Sequence, residues 1–252
     1  MKNTIIAILS YNNPTYTDRL CENIFKKIKT NYNLVVLDNG SNPDKISKNT
    51  TDLLNKNRRM TGGFNAIIDL INIKFLNFDY IWFFTNDCYF MTDEDPLENM
   101  LNKFSKITEL GILHPSLFSE VKVCYDVKNV GRKGVNIVNE YDFVCPMFSK
   151  KAIESIGGRF NDDFFYGWGI DHESSFLVRK NNLLVGINHD IIVNHNTSTT
   201  YDTGLDNLFK NRDEYYNSAG TEMKKVLSEK YGVNWHYLFK TNYNTNLGMW
   251  YE

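Results

Sequence analysis

Short β-branched runs recur along this chain, separated by longer amphipathic stretches, and that alternation is the pattern of βαβ units around a mainly parallel sheet. "TIIAILSY" (residues 4–11) reads as a first buried strand, and "PTYTDRLCENIFKKIKT" as a helix with Pro14 near its start and Leu20, Ile24 and Ile28 on one face. "NLVVLDNGS" reads as a second strand ending in a turn, "GGFNAIIDLINIKFL" as a helix opened by two glycines, and "YIWFFTND" as a third, wholly apolar strand. Further on, "LGILHPSLF" and "YDFVCPMFS" read as strands, "KKAIESIGG" as a short helix closed by glycine, and Leu205 to Tyr231 as a helix with a polar, aromatic face. Apolar residues make up 42% of the 252 positions and charged ones 23%, which suffices for one sizeable core. The expectation is therefore a single α/β domain over 1–252, with a C-terminal helical segment from about 201.

The same numbers narrow the function classes. A formal charge of −2 and the lack of a dense Lys/Arg run argue against duplex nucleic acid as a partner. Cys21, Cys88, Cys124 and Cys145 form no C-x-x-C pair, so neither a zinc knuckle nor a disulfide framework is suggested, and reduced thiols in a cytoplasmic protein fit best. No apolar stretch has the length of a transmembrane helix, and the opening strand lacks the cleavage site of a signal peptide, which leaves peripheral contact as the route to a membrane.

Three loops, "SYNNP", "LDNGS" and "TNDC", fall at the carboxyl ends of expected parallel strands, where open α/β sheets bind ligands. Asp38 there can accept from the N–H of a nucleotide base, or simply form a turn with Asn39 and Gly40. Gly62 and Gly63 either admit a phosphate to a helix N-terminus or cap it. Near the other end, "NDDFFYGWGIDHESSFLVRKN" sets Asp171 and Glu173 beside a run of aromatic residues. One reading is favourable charge at a helix start; the other is an acid or base facing a bound ring.

From Thr4 to Asn196 the chain resembles the family 2 glycosyltransferases of the GT-A fold. "IIAILSYNNP" is similar to that family's first strand and nucleotide loop, "VVLDNGS" to its second strand with the base-binding aspartate, and "GGFNAII" to its G-G-x-N-x-G-I segment. "FFTNDCYF" stands where the family has D-x-D, reduced here to Thr85-Asn86-Asp87 with one carboxylate. The stretch "MFSKKAIESIGGRFNDDFFYGWGIDHESSFLVRKNNLLVGINHDIIVNH" follows the family's order of helix, I-G-G-F-D turn, acidic segment and strand ending in His, with the E-D-x-D altered to Ile170-Asp171-His172-Glu173.

The resemblance implies a Rossmann-like GT-A domain, with nucleotide binding in about 1–90 and acceptor binding and catalysis in about 91–200. It implies an inverting transfer of a hexose or deoxyhexose from a nucleoside-diphosphate sugar to a hydroxyl of a glycan acceptor; likeness to rhamnosyltransferase-like members points to a deoxysugar. Residue by residue it implies donor binding by Ser10, Tyr11, Asn12, Asp38, Gly62, Gly63 and Asn65, with Arg58 or Arg59 on the diphosphate. A divalent ion, Mn²⁺ or Mg²⁺, would be held by Asp87 and His195, with diphosphate oxygens and water completing its shell. Asp171 is the expected base, His172 a second candidate, and Tyr166, Trp168, His172 and Glu173 the acceptor wall. Two rival readings are a nucleotidyltransferase acting on sugar phosphates and a non-catalytic glycan-binding module. "SYNNPTYTD" lacks the Gly-rich basic loop of the first, and the second has no need of Asp38 or Asp87.

Overall fold

The computed structural model describes residues 2–118, 120, 125–196, 209–241 and 247–252. Its centre is one ten-stranded sheet built from β1 (Thr4–Ser10), β2 (Asn33–Asp38), β3 (Asp52–Leu53), β4 (Tyr80–Thr85), β5 (Cys88–Phe90), β6 (Leu110–Leu117), β7 (Val135–Val138), β8 (Met147–Ser149), β9 (Leu184–His195) and β10 (Trp250–Tyr251). The strand order is β10-β7-β9-β6-β8-β4-β1-β2-β3, with β5 paired off this path to β9. β1 to β4 are mutually parallel, and β6, β9 and β10 point the same way; β5, β7 and β8 run against them. Burial on both faces explains why β1 and β4 read as unbroken apolar runs rather than alternating ones.

Helices cover the sheet. α1 (Pro14–Lys27) starts on Pro14 and buries Leu20, Cys21 and Ile24. α3 (Pro96–Lys106) is capped by Asp95, whose carboxylate accepts from the N–H groups of Leu97 and Glu98. α4 (Lys150–Ser155) is capped by Ser149 and ends before Gly157 and Gly158, as its sequence suggests. α5 (Ile170–Lys180) carries Asp171 and Glu173 in its first turn. α6 (Arg212–Tyr231) and α7 (Trp235–Lys240) lie against α5: the Arg179 guanidinium donates to the carbonyls of Phe239 and Thr241, and Phe176 stacks on Phe239 at 4.4 Å. Among the described residues no helix is long and apolar enough to cross a membrane.

Several boundaries differ from the sequence reading for local reasons. α2 (Arg59–Lys74) opens three residues before Gly62, because the side chains of Asn39 and Asn57 accept from the N–H groups of Arg58 and Arg59 and start the helix early. "YDFVCPMFS" is a strand only over Met147–Ser149; residues 141–145 turn, with the Val144 N–H bonded to the Asp142 carbonyl. β7 and β10 are strands absent from the sequence reading, being only 4 and 2 residues long, too short for alternation to show. The helix expected from Leu205 begins at Arg212, capped by the Asn211 side chain; residues 205–208, like Cys124, lie outside the described residues.

Candidate active site

Strand ends create the site. β1, β2 and β4 finish side by side, and a cavity of about 1010 Å³ opens at their carboxyl edge. Leu9, Tyr11, Asn39, Asn57 and Arg59 line one side; Thr85, Asn86, Asp87 and His195 lie at the sheet; Glu140, Asp142, Asp171 and His172 form the far side. Its floor is the aromatic core, with Phe64 against Phe143 at 4.8 Å.

Asp87 and His195 are brought together by backbone pairing. β5 runs antiparallel to the end of β9, so Cys88 faces His195 in register and the Asn196 N–H donates to the Asp87 carbonyl. This sets Asp87 Oδ1 and His195 Nε2 3.3 Å apart on largely buried side chains. Burial opposes charge on both groups; their mutual attraction outweighs it, lowering the Asp87 pKa and raising that of His195 to about 9. An oxygen and a nitrogen so placed fit one divalent ion, since octahedral ligands at about 2.1 Å lie about 3 Å apart. His195 Nδ1 has no hydrogen-bond partner among the described residues. Among the described residues no group of three or more His, Cys, Asp and Glu side chains is arranged to hold a metal, so with Asp87 and His195 as ligands an ion would draw on further oxygens such as those of donor or water.

Asp171 sits half-buried in the cavity wall at the second position of α5. Burial raises its pKa, against the opposing pull of the neighbouring His172 and a bond from the His172 N–H at 2.9 Å. His172 meets Glu140, with Nδ1 2.6 Å from Oε2. Burial disfavours the charged ring, but Asp171 and Glu140 together overcome this and raise its pKa to about 9. Near neutral pH His172 is thus a cation with no lone pair to accept a proton, which leaves the carboxylates of Asp171, Glu140 and Asp142 as the possible acceptors on that side of the cavity.

Above these lies an aromatic mouth. Trp168 is held between Gly167 and Gly169, both in the left-handed region at φ 88° and 99°. A Cβ on Gly167 would lie 2.7 Å from Met60, and one on Gly169 2.7 Å from Phe164, so side chains are excluded on both counts. Trp168 packs against Tyr216 of α6 at 5.5 Å and Tyr166 against Tyr215 at 5.9 Å, while Glu222 accepts from the Tyr166 N–H. Tyr215 is buried packing; Tyr216 remains partly open to the cavity.

The remaining residues singled out from sequence stand outside the cavity wall. Ser10 bonds Thr17 in the core, and Asn12 clasps the β2 turn through Ser41 and Asn42. Asn65 ties α2 to the connection between α4 and α5 through Phe160 and Asp162. Gly62 and Gly63 lie inside α2, where a Cβ on Gly63 would be 2.7 Å from Leu9. Glu173 points to the helical arm and accepts from Tyr231 and Lys230 at 2.8 and 3.0 Å. Asp38 is fully buried, with one oxygen accepting from the Ser41 N–H and the other from its hydroxyl, each at 2.7 Å. Asn39, Asn57, Glu140 and Asp142, which sequence reading did not select, line the cavity instead. The polar cluster "NEYD" just before a strand was the available signal for the last two.

Asp38→Ala is accordingly expected to destabilise the fold by about 1–3 kcal/mol, because it strands two donors of Ser41. Urea unfolding measures this. Calorimetry with nucleoside diphosphates separates turn from recognition: if Asp38 only builds the turn, Ser41→Ala weakens binding in parallel, whereas direct contact with a base makes Asp38→Ala the more harmful change.

Neither a protein-family model nor a curated protein sequence matches this chain. Solved structures do. GalNAc-T7, determined with UDP, GalNAc and Mn²⁺, aligns over 77% of this chain and 44% of its own, at 9% identity and a TM-score of 0.62. The mannosyltransferase PcManGT from Pyrobaculum calidifontis, in complex with GDP-Man and Mn²⁺, aligns over 94% of this chain and 73% of its own, at 11% identity and a TM-score of 0.59. TarS 1–349 from S. aureus aligns over 95% and 73%, at 12% identity and a TM-score of 0.54. The chain has the GT-A glycosyltransferase fold.

Proposed function

We propose that the protein is a metal-assisted, inverting glycosyltransferase that moves a sugar from a nucleoside diphosphate to a hydroxyl group of a glycan acceptor, the whole chain acting as one catalytic unit. The observation that carries this reading is the convergence of Asp171 and the Asp87–His195 pair on one cavity at the carboxyl edge of the parallel strands. The structural neighbours determined with UDP or GDP-Man and Mn²⁺ support it.

In this reading the donor lies across Tyr11, Asn39 and Asn57, with its diphosphate toward Arg59 and the N-terminus of α2. A divalent ion held by Asp87 and His195 would offset the negative charge that develops on the departing diphosphate. The acceptor sugar packs between Tyr166, Trp168 and Tyr216 and presents its hydroxyl to Asp171. The hydroxyl oxygen forms the new bond to the anomeric carbon from the face opposite the diphosphate. The old carbon–oxygen bond breaks with its electron pair going to the diphosphate, and the hydroxyl proton passes to the Asp171 carboxylate. His172 stays a cation throughout and serves the base rather than replacing it. We place this chemistry in the cytoplasm, where nucleotide sugars and reduced cysteines are both at home.

A thermal-shift screen of UDP, GDP, their hexose and deoxyhexose conjugates, and free oligosaccharides, with and without Mn²⁺, tests the reading. A nucleotide at 100 times its Kd stabilises by about 2.7 kcal/mol, a clear rise in Tm. The expected result is a Tm rise for one nucleotide class that Mn²⁺ enlarges. A rise with oligosaccharides alone would favour a glycan-binding module. Pyrophosphate released from a nucleoside triphosphate and a sugar phosphate would favour a nucleotidyltransferase.

A further inference from the structure

A partly buried carboxylate base faces a conflict, because burial that makes it basic also favours the protonated form that cannot accept a proton. The surroundings of Asp171 contain a group suited to this conflict. His172, the next residue on α5, lines the same cavity, and Glu140 reaches it from the connection between β7 and β8. The two meet at 2.6 Å, the length of a strong charge-assisted bond, on side chains about one third exposed. The Trp235 ring of α7 lies 6.0 Å from the His172 ring, tilted by 57°.

We propose that Glu140 and His172 form a positioning pair for the base: Glu140 fixes the ring through Nδ1, and the ring in turn keeps a positive charge beside the Asp171 carboxylate. This rests on Asp171 being the base and adds to that reading the pair that keeps it ionised. Neither residue of the pair takes the acceptor proton.

The charges around the pair agree with this arrangement. Burial opposes charge on His172, and Asp171, Glu140 and, least, Asp142 all favour it. Glu140 is held ionised chiefly by its bond to His172, with Lys240 and Arg179 contributing from α7 and α5 and burial opposing. The Asp126 carboxyl is pushed upward, by burial first and by the charge of Glu140 second. Burial and Glu140 raise the pKa of Asp171, whereas His172 lowers it, so removing the cation alone lets the base become protonated at higher pH.

Two readouts test the proposal on the full chain. Imidazole resonances of the ligand-free protein, followed by ¹H–¹⁵N NMR, are expected to show His172 titrating near pH 9 in wild type, and about one pH unit or more lower in Glu140→Gln. The acid limb of the transfer rate against pH, measured with the donor found by the nucleotide screen, is expected to move up by about one pH unit in His172→Gln. It should stay in place in His172→Arg, which keeps the cation. A His172 ring titrating at its ordinary value of about 6.5 in wild type, or unmoved in Glu140→Gln, overturns the proposal without any transfer assay. An acid limb unmoved in His172→Gln overturns it as well. The NMR result holds whether or not Asp171 proves to be the base, so failure of the pair and failure of the base assignment are read separately.

Discussion

Replacing Asp171 with Asn is expected to lower transfer by about 10²–10⁴-fold while leaving nucleotide affinity close to wild type. Asn keeps the volume of the side chain and an oxygen able to accept from the His172 N–H, so α5 keeps its first turn. It cannot take up the acceptor's proton, and that is the function under test. Glu173→Gln supplies the contrast: its carboxylate holds Tyr231 and Lys230 away from the cavity, so the change is expected to affect the docking of α6 and overall stability before it affects chemistry. Turnover and calorimetric donor affinity on the same folded preparations distinguish the two. If Asp171→Asn turns over at the wild-type rate, another group accepts the proton and the proposed mechanism fails.

The second large effect is expected at Asp87. A divalent ion on a diphosphate contributes several kcal/mol of charge stabilisation, equivalent to at least about 10²-fold in rate. Chelation is therefore expected to abolish transfer, with Mn²⁺ or Mg²⁺ restoring it in wild type. Asp87→Ala should remain slow at any metal concentration, and should lose the Mn²⁺-dependent part of nucleoside-diphosphate binding by calorimetry. β5 is held to β9 by backbone pairing from Cys88 to Phe90, which the substitution leaves intact. Full activity after exhaustive chelation would remove the metal from the mechanism and leave Arg59 as the cation nearest the diphosphate.

What could be read from sequence, and what could not, follows physical lines. β1, β2, β4 and the helices between them were legible because both faces of that part of the sheet are buried, and burial writes long apolar runs and regular helical spacing. Asp87, Asp171 and His195 stand out in the sequence because they sit at the ends of such elements, in an order resembling a known family, and the structure places all three in the lining of one cavity. Asp38 and Asn65 are motif positions whose side chains, in this chain, bond the loops around the cavity, and Gly62 and Gly63 lie inside α2, where Gly63 lets the helix approach Leu9. The partnership of Glu140 with His172 joins residues 32 apart through a connecting segment without periodicity, so no local pattern could announce it. The mouth formed by Trp168 and Tyr216 likewise depends on α6 folding back across α5, a tertiary contact that an aromatic pair at Tyr215 and Tyr216 does not specify.

The central claim is that one displacement at Asp171 carries the sugar from nucleotide to acceptor, and the anomeric proton reports this directly. With the donor identified by its Mn²⁺-dependent stabilisation, the reaction can be followed by ¹H NMR from the first turnover, before any mutarotation or hydrolysis. The account predicts loss of the donor's anomeric signal and appearance of a product signal with the opposite configuration, in step with release of nucleoside diphosphate. A product that keeps the donor's configuration would contradict the single displacement, whatever the Asp171 variants show.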